Sequence, residues 1–98
     1  MKADLGQIKN ILNKHMNFLR STYNVKDIGV FGSVVSGENI ESSDIDILVE
    51  FSISPGFFKF IELEEFLSEI FGKKVDLVTK KALKPAIRED ILQEVTYV

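Results

Sequence analysis

Two short apolar runs, Ile28-Gly29-Val30-Phe31 and Ile47-Leu48-Val49, stand on either side of a polar stretch from Gly32 to Asp46. Runs of this length, rich in β-branched and aromatic residues, read as strands. The first strand is predicted over 25–31 and the second over 44–51. Between them fits a short helix, stopped near Gly37 and Asn39, and an exposed loop over 38–43. A third strand over 74–79 (K-V-D-L-V-T) is reached only through a long helix. Two strands joined by a loop and a third joined through a helix point to an α/β (α+β) fold: a small mixed β-sheet flanked by helices.

The helices are marked by apolar spacing. Leu5, Ile8, Leu12, Met16, Leu19 and Tyr23 recur every three or four residues, and Ile11 and Phe18 widen the stripe. This predicts one amphipathic helix over 4–23 with Asp4 as its N-cap and Asn24 at its end. His15, the single histidine, falls beside the stripe and reads as a surface or boundary residue. Pro55-Gly56 marks a turn before a second long helix over 57–71, which Gly72 ends. Phe60, Leu63, Leu67, Ile70 and Phe71 form its inward face, and Glu62, Glu64, Glu65 and Glu69 read as a solvated one. A last helix over 86–94 is entered through Pro85. The tail Val95-Thr96-Tyr97-Val98 reads as a short strand or a contact surface. Phe57, Phe58, Tyr97 and Val98 are candidates for a partner surface, with at least two of the four expected in the core.

Ninety-eight residues with 45% hydrophobic content and eight Phe are enough for a single domain, 1–98, with its own core. The net charge of −3 and pI near 5.1 argue against direct nucleic-acid binding, which favours a basic face. Without cysteine there is neither a disulfide nor a thiolate zinc site. Charged residues interrupt the first twenty positions, so they do not resemble a secretory signal. No apolar run reaches the ~20 residues of a membrane span. A cytoplasmic protein with no membrane partner is the expectation; a homo-oligomer is left open.

The polar stretch carries the chemistry. It opens with Gly32-Ser33 and closes with Asp44-Ile45-Asp46. Side chains alternate along a strand, so Asp44 and Asp46 point the same way. Two close carboxylates raise each other's pKa unless a cation lies between them. A divalent metal resolves the conflict, and hard oxygen ligands suit Mg²⁺, with Mn²⁺ as the alternative. Mg²⁺ usually takes one or two carboxylates and shares substrate phosphates, as with a nucleoside triphosphate. Glycine lets a backbone approach phosphate closely, the N-terminus of a following helix attracts anions, and the Ser33 hydroxyl adds a donor. Asp76, inside the apolar third strand, is a third carboxylate where aspartate is disfavoured. If its strand neighbours the one bearing Asp44 and Asp46, the three can hold two metals ~3.5–4 Å apart for in-line displacement at phosphorus.

Gly-Ser, ten residues and then D-I-D resembles the signature of the polymerase-β-like nucleotidyltransferase superfamily. The short length, L-V-E-F after the aspartates, and K-K-V-D-L-V-T followed by K-A-L-K-P resemble its minimal nucleotidyltransferases (the MNT group). The resemblance covers roughly 25–98 and is weakest in the first helix. It implies an antitoxin that transfers AMP from ATP to a tyrosine of a HEPN-type toxin, itself a ribonuclease. It assigns Gly32 and Ser33 to triphosphate contact and Asp44, Asp46 and Asp76 to two Mg²⁺ ions and catalysis, Asp76 helping to activate the attacking hydroxyl. The chain departs from the family's G-S-x-A-R-G-E at Val35 and Ser36, where Ala-Arg is usual. Lys73, Lys74, Lys80, Lys81 and Lys84 are the nearby cations in sequence, each reading first as a surface lysine. Two functional classes follow: a protein adenylyltransferase, or an antitoxin that masks its toxin with weak or lost transfer.

Overall fold

The computed structural model describes residues 4–98. The N-terminal stripe folds as two helices rather than one, α1 (Leu5–Lys14) and α2 (Met16–Tyr23). Asp4 caps the first, its carboxylate accepting from the Gly6 N–H at 2.7 Å. The break falls on His15, whose φ of −101° and ψ of 3° leave the helical range. Its ring Nδ1–H donates to the Ile11 carbonyl at 2.9 Å, an oxygen that also accepts from the His15 backbone N–H at 3.3 Å. Its ring edge rests on Phe66, with centroids 5.6 Å apart. The sequence reading of His15 as a boundary residue holds; the single helix does not.

Asn24 takes a left-handed turn, φ 59° and ψ 33°, and opens β1 (Val25–Phe31). A one-turn helix, α3 (Ser33–Ser36), follows. Then come β2 (Ile45–Phe51), α4 (Phe57–Phe71) and β3 (Val75–Thr79). A 3₁₀ turn (Lys80–Ala82) leads to α5 (Pro85–Glu94) and β4 (Thr96–Tyr97). Asp44 and Lys74 therefore lie just outside the strands predicted to contain them, and Pro85 opens α5. The strands form one mixed sheet in the order β3-β2-β1-β4. β1 runs antiparallel to β2 and β4, and β2 parallel to β3. Only the parallel pair needs a crossover, and α4 supplies it.

The sheet has two unequal faces. Ile28, Val30, Ile45, Ile47, Val49, Val75 and Leu77 face α1, α2 and α4, which contribute Ile8, Leu12, Leu19, Tyr23, Leu63 and Leu67. On the other face, Phe31 and Leu48 meet Leu83, with Val78, Ile91, Leu92 and Val95 against them. Strand alternation puts Asp46 on this second, thinly covered face beside Leu48.

Three sequence expectations change at the periphery. Glu64 is not simply solvated: its carboxylate accepts from the Leu77 N–H at 3.0 Å, and the Ser68 hydroxyl accepts from the Val75 N–H at 3.0 Å. β3 is an edge strand, and α4 covers its backbone donors with side chains. Phe57, Phe58 and Tyr97 are exposed (68%, 88% and 44%); of the four apolar candidates only Val98 packs against the core. An apolar residue at the first turn of a helix entered from a glycine need not face the sheet. Asn39, read as part of an exposed loop, is buried.

Candidate active site at one end of the sheet

The antiparallel β1–β2 pair brings the end of β1 beside the start of β2, and the parallel β2–β3 pair adds the start of β3. The register is specific: Phe31 pairs with Asp46, and Asp46 with Asp76. Gly32, Ser33, Asp44, Asp46 and Asp76 thus gather at one end of the sheet. The third strand neighbours the second, as convergence of the three carboxylates requires.

Gly32 adopts φ 77° and ψ −148°, a conformation that favours glycine. A Cβ there would overlap the Asp46 carboxylate oxygen Oδ2 and lie 3.0 Å from its Cγ. The Gly32 carbonyl accepts from the Val35 and Ser36 N–H groups, both at 3.1 Å, which winds α3 into its single turn. Val34 is buried and Val35 packs against the core, so this helix is anchored by its valines. Ser36 stands where the resemblance expects arginine; it is exposed, and its hydroxyl donates to the Ser33 carbonyl at 3.3 Å. The predicted helix is present, but one turn offers little dipole to an anion, and the close approach at Gly32 and the Ser33 hydroxyl remain the groups suited to phosphate.

Asp46 is half-buried, and its pKa is pushed up from 3.8 to about 6. Burial contributes most, followed by the charges of Asp76, Asp44 and Glu94. Asp44, also half-buried, has Lys74 Nζ at 3.8 Å from Oδ2. Asp76 is exposed. Lys73 donates to the Glu41 carbonyl at 2.9 Å. Lys80 instead faces Glu50, at 3.9 Å, towards the opposite end of β2. Of the five lysines considered from sequence, Lys74 is the one ion-paired with a site carboxylate.

The donor set suits a hard divalent cation. Burial and then the neighbouring carboxylates raise the Asp46 pKa, and a bound cation would favour its charged form. Among the described residues, no three His, Cys, Asp or Glu side chains close into a metal cage.

Glu94 was not among the residues singled out from sequence. It ends α5, and its carboxylate accepts from the Gly32 N–H. Helical spacing offers no hint of this; the signal lay in the tail, once that is paired with β1.

The nucleotidyltransferase domain family matches residues 12–98. The protein adenylyltransferase MntA of Thermococcus cleftensis is 51% identical over 94 residues, spanning 96% of this chain and 95% of its own. A solved structure provisionally described as a minimal nucleotidyltransferase superposes with a TM-score of 0.80 at 31% identity, over 96% of this chain and 95% of that one. A toxin–antitoxin crystal structure with AMP-PNP contains a chain with a TM-score of 0.72 and 26% identity, over 87% of this chain and 69% of that one.

Proposed function

The chain belongs to the nucleotidyltransferase domain family, and from that premise we propose that it is a metal-dependent protein adenylyltransferase of the cytoplasm. It moves AMP from ATP to a tyrosine hydroxyl of a HEPN-type toxin and so serves as the antitoxin of the pair. One observation carries the reading: the sheet register sets Asp46 directly beside Asp76, with Gly32 packed on the Asp46 carboxylate. The adenylyltransferase name of the Thermococcus relative and the nucleotide analogue in the similar toxin–antitoxin structure support it.

Each residue has a part. Gly32 and Ser33 receive the triphosphate, the glycine by its lack of a side chain and the serine by its hydroxyl. Asp44, Asp46 and Asp76 are the groups that would hold Mg²⁺, two ions with Mn²⁺ as the alternative, and the metal would offset the charge developing on phosphorus. The acceptor hydroxyl attacks the α-phosphorus, the bond to the bridging oxygen of the β-phosphate breaks, and pyrophosphate leaves. Asp76, the exposed carboxylate, takes the hydroxyl proton. The acceptor hydroxyl belongs to the toxin, which brings it to the carboxylate end of the sheet.

The test is labelled transfer. The purified protein is incubated with Mg²⁺, the toxin, and ATP labelled at the α- or γ-phosphate, beside Asp46→Asn. Transfer from α-labelled ATP alone, lost in the variant, is expected; transfer from γ-labelled ATP would overturn the mechanism. Masking without transfer is the second reading, favoured by Ser36 in the arginine position. Asp44→Asn separates the two: protection against the toxin is lost with transfer, and retained with masking.

A further inference from the structure

Gly29 pairs with Tyr97 and Val30 with Thr96. Each step forward along β1 matches one step back along the tail, so the same register sets Gly32 opposite Glu94. Ile28 turns its carbonyl to this edge, accepting from the Val98 N–H at 3.0 Å. Backbone groups alternate along a strand, so Val30 and Gly32 face the same edge. At Gly32, however, the tail has no strand to offer. Glu94 is still helical, the last residue of α5, so its backbone follows the helix and does not extend alongside β1. The Glu94 side chain takes the place of the missing strand: its Oε1 accepts from the Gly32 N–H.

We infer that Glu94 is a positioning residue for the transfer reaction, holding the Gly-Ser turn in its nucleotide-receiving form by standing in for the absent strand partner of Gly32. The inference rests on the function proposed above. Gly32 is the joint between β1 and α3, and a glycine with an unpaired N–H has wide freedom there. A charge-assisted hydrogen bond removes that freedom. It fixes where Ser33 lies relative to Asp46, on which Gly32 already packs. Glu94 acts through Gly32 and does not need to touch the nucleotide. Its charge joins those of Asp44 and Asp76 around Asp46, so the cost of keeping a fourth carboxylate there is offset by order in the turn. The opposite role, a plug lying where phosphate binds, predicts the opposite result.

Three variants separate these roles. Glu94→Gln keeps an acceptor of the same reach, Glu94→Asp keeps the charge but falls short, and Glu94→Ala removes both. Affinity for AMP-PNP with Mg²⁺ is read by calorimetry, KM for ATP and kcat by transfer to the toxin, and the Gly32 amide by ¹⁵N NMR. In Glu94→Ala and Glu94→Asp, nucleotide affinity falls about tenfold, the size of one charge-assisted hydrogen bond. KM rises with it, kcat stays within about twofold, and the Gly32 amide loses exchange protection. Glu94→Gln stays within about threefold of wild type. Unchanged or tighter binding in Glu94→Ala overturns the inference, as does damage in Glu94→Gln equal to that in Glu94→Ala. Wild type that binds no AMP-PNP refutes the proposed function and this inference together. Wild type that binds while Glu94→Ala binds equally well refutes this inference alone.

Discussion

Gly32 and Asp46 are packed so closely that a single carbon added to the glycine would fall on the aspartate's carboxylate. The backbone conformation at Gly32, φ 77°, separately disfavours any other residue. Gly37 supplies the control, because it has a similar φ of 79° but nothing within 4 Å of an added Cβ. Gly37→Ala carries only the backbone cost, about 1–2 kcal/mol, with AMP transfer retained. Gly32→Ala adds displacement of Asp46, and transfer falls at least about tenfold beyond any loss of stability, since a misplaced carboxylate costs catalysis steeply. Urea denaturation and labelled transfer on both variants measure the two effects separately.

Asp46 predicts an unusual pH dependence for the metal-free protein. Its pKa is about 6 in the folded chain against an ordinary 3.8. Between those values the folded state binds more proton than the unfolded state, so this group's contribution to stability declines as pH rises from about 4 to about 6. Above that it levels off as a penalty of about 1–2 kcal/mol, discounted because the group is partly exposed to solvent. In chelator, Asp46→Asn therefore lacks this slope and is more stable than wild type at pH 7.5. Adding Mg²⁺ stabilises wild type and leaves the variant unchanged. Chemical denaturation at pH 4.5, 6 and 7.5, with and without Mg²⁺, checks both signs.

The sheet was legible because it obeys local rules, and the candidate site was read from the same rules. Short apolar stretches announced β1, β2 and β3, and alternation was the reason for expecting Asp44 and Asp46 on one face, although Asp44 lies just before β2. The neighbourhood of Asp76 was stated as a condition, since strand order is a tertiary property; the parallel pairing of β2 with β3 meets it. What escaped the sequence depended on side chains reaching across chain distance. Glu94 reaches Gly32 from 62 residues away, and Glu64 turns from the helix surface to an edge strand. The break at His15, where the imidazole also bonds the preceding turn, is not something that apolar periodicity registers. The expectation that at least two of Phe57, Phe58, Tyr97 and Val98 lie in the core failed, since hydrophobicity reports a preference for burial and not the direction in which a side chain points.

Glu64 makes the edge of β3 a stability element rather than a solvated surface. Its carboxylate accepts from the part-buried Leu77 N–H at 3.0 Å. Glu64→Ala leaves that donor without its acceptor at a cost of about 1–3 kcal/mol, whereas Glu64→Gln retains an acceptor and loses less. Glu65, exposed one position on, serves as the reference, with Glu65→Ala within about 0.5 kcal/mol of wild type. Urea midpoints for the three variants rank Glu64→Ala lowest. Equal midpoints for Glu64→Ala and Glu65→Ala would return Glu64 to the solvated face.

Ser36 invites the converse experiment, a gain. It occupies the position where the resembling family carries arginine, is exposed, and bonds within its own turn, its hydroxyl donating to the Ser33 carbonyl at 3.3 Å. Nothing lies within 4 Å of a Cβ built on the neighbouring Gly37, so a long side chain has room beside it. Ser36→Arg replaces a weak local bond with a guanidinium able to reach phosphate from the same turn as Ser33. A hydrogen bond to a charged group contributes about 1.5–3 kcal/mol, so ATP affinity rises at least about tenfold while stability moves by less than about 0.5 kcal/mol. Calorimetric titration of wild type and Ser36→Arg with AMP-PNP and Mg²⁺ decides it. A rise in affinity abolished by Asp46→Asn in the same background ties the new charge to nucleotide held at the carboxylates. A rise that survives Asp46→Asn would mean that the arginine gathers anions without reference to the site.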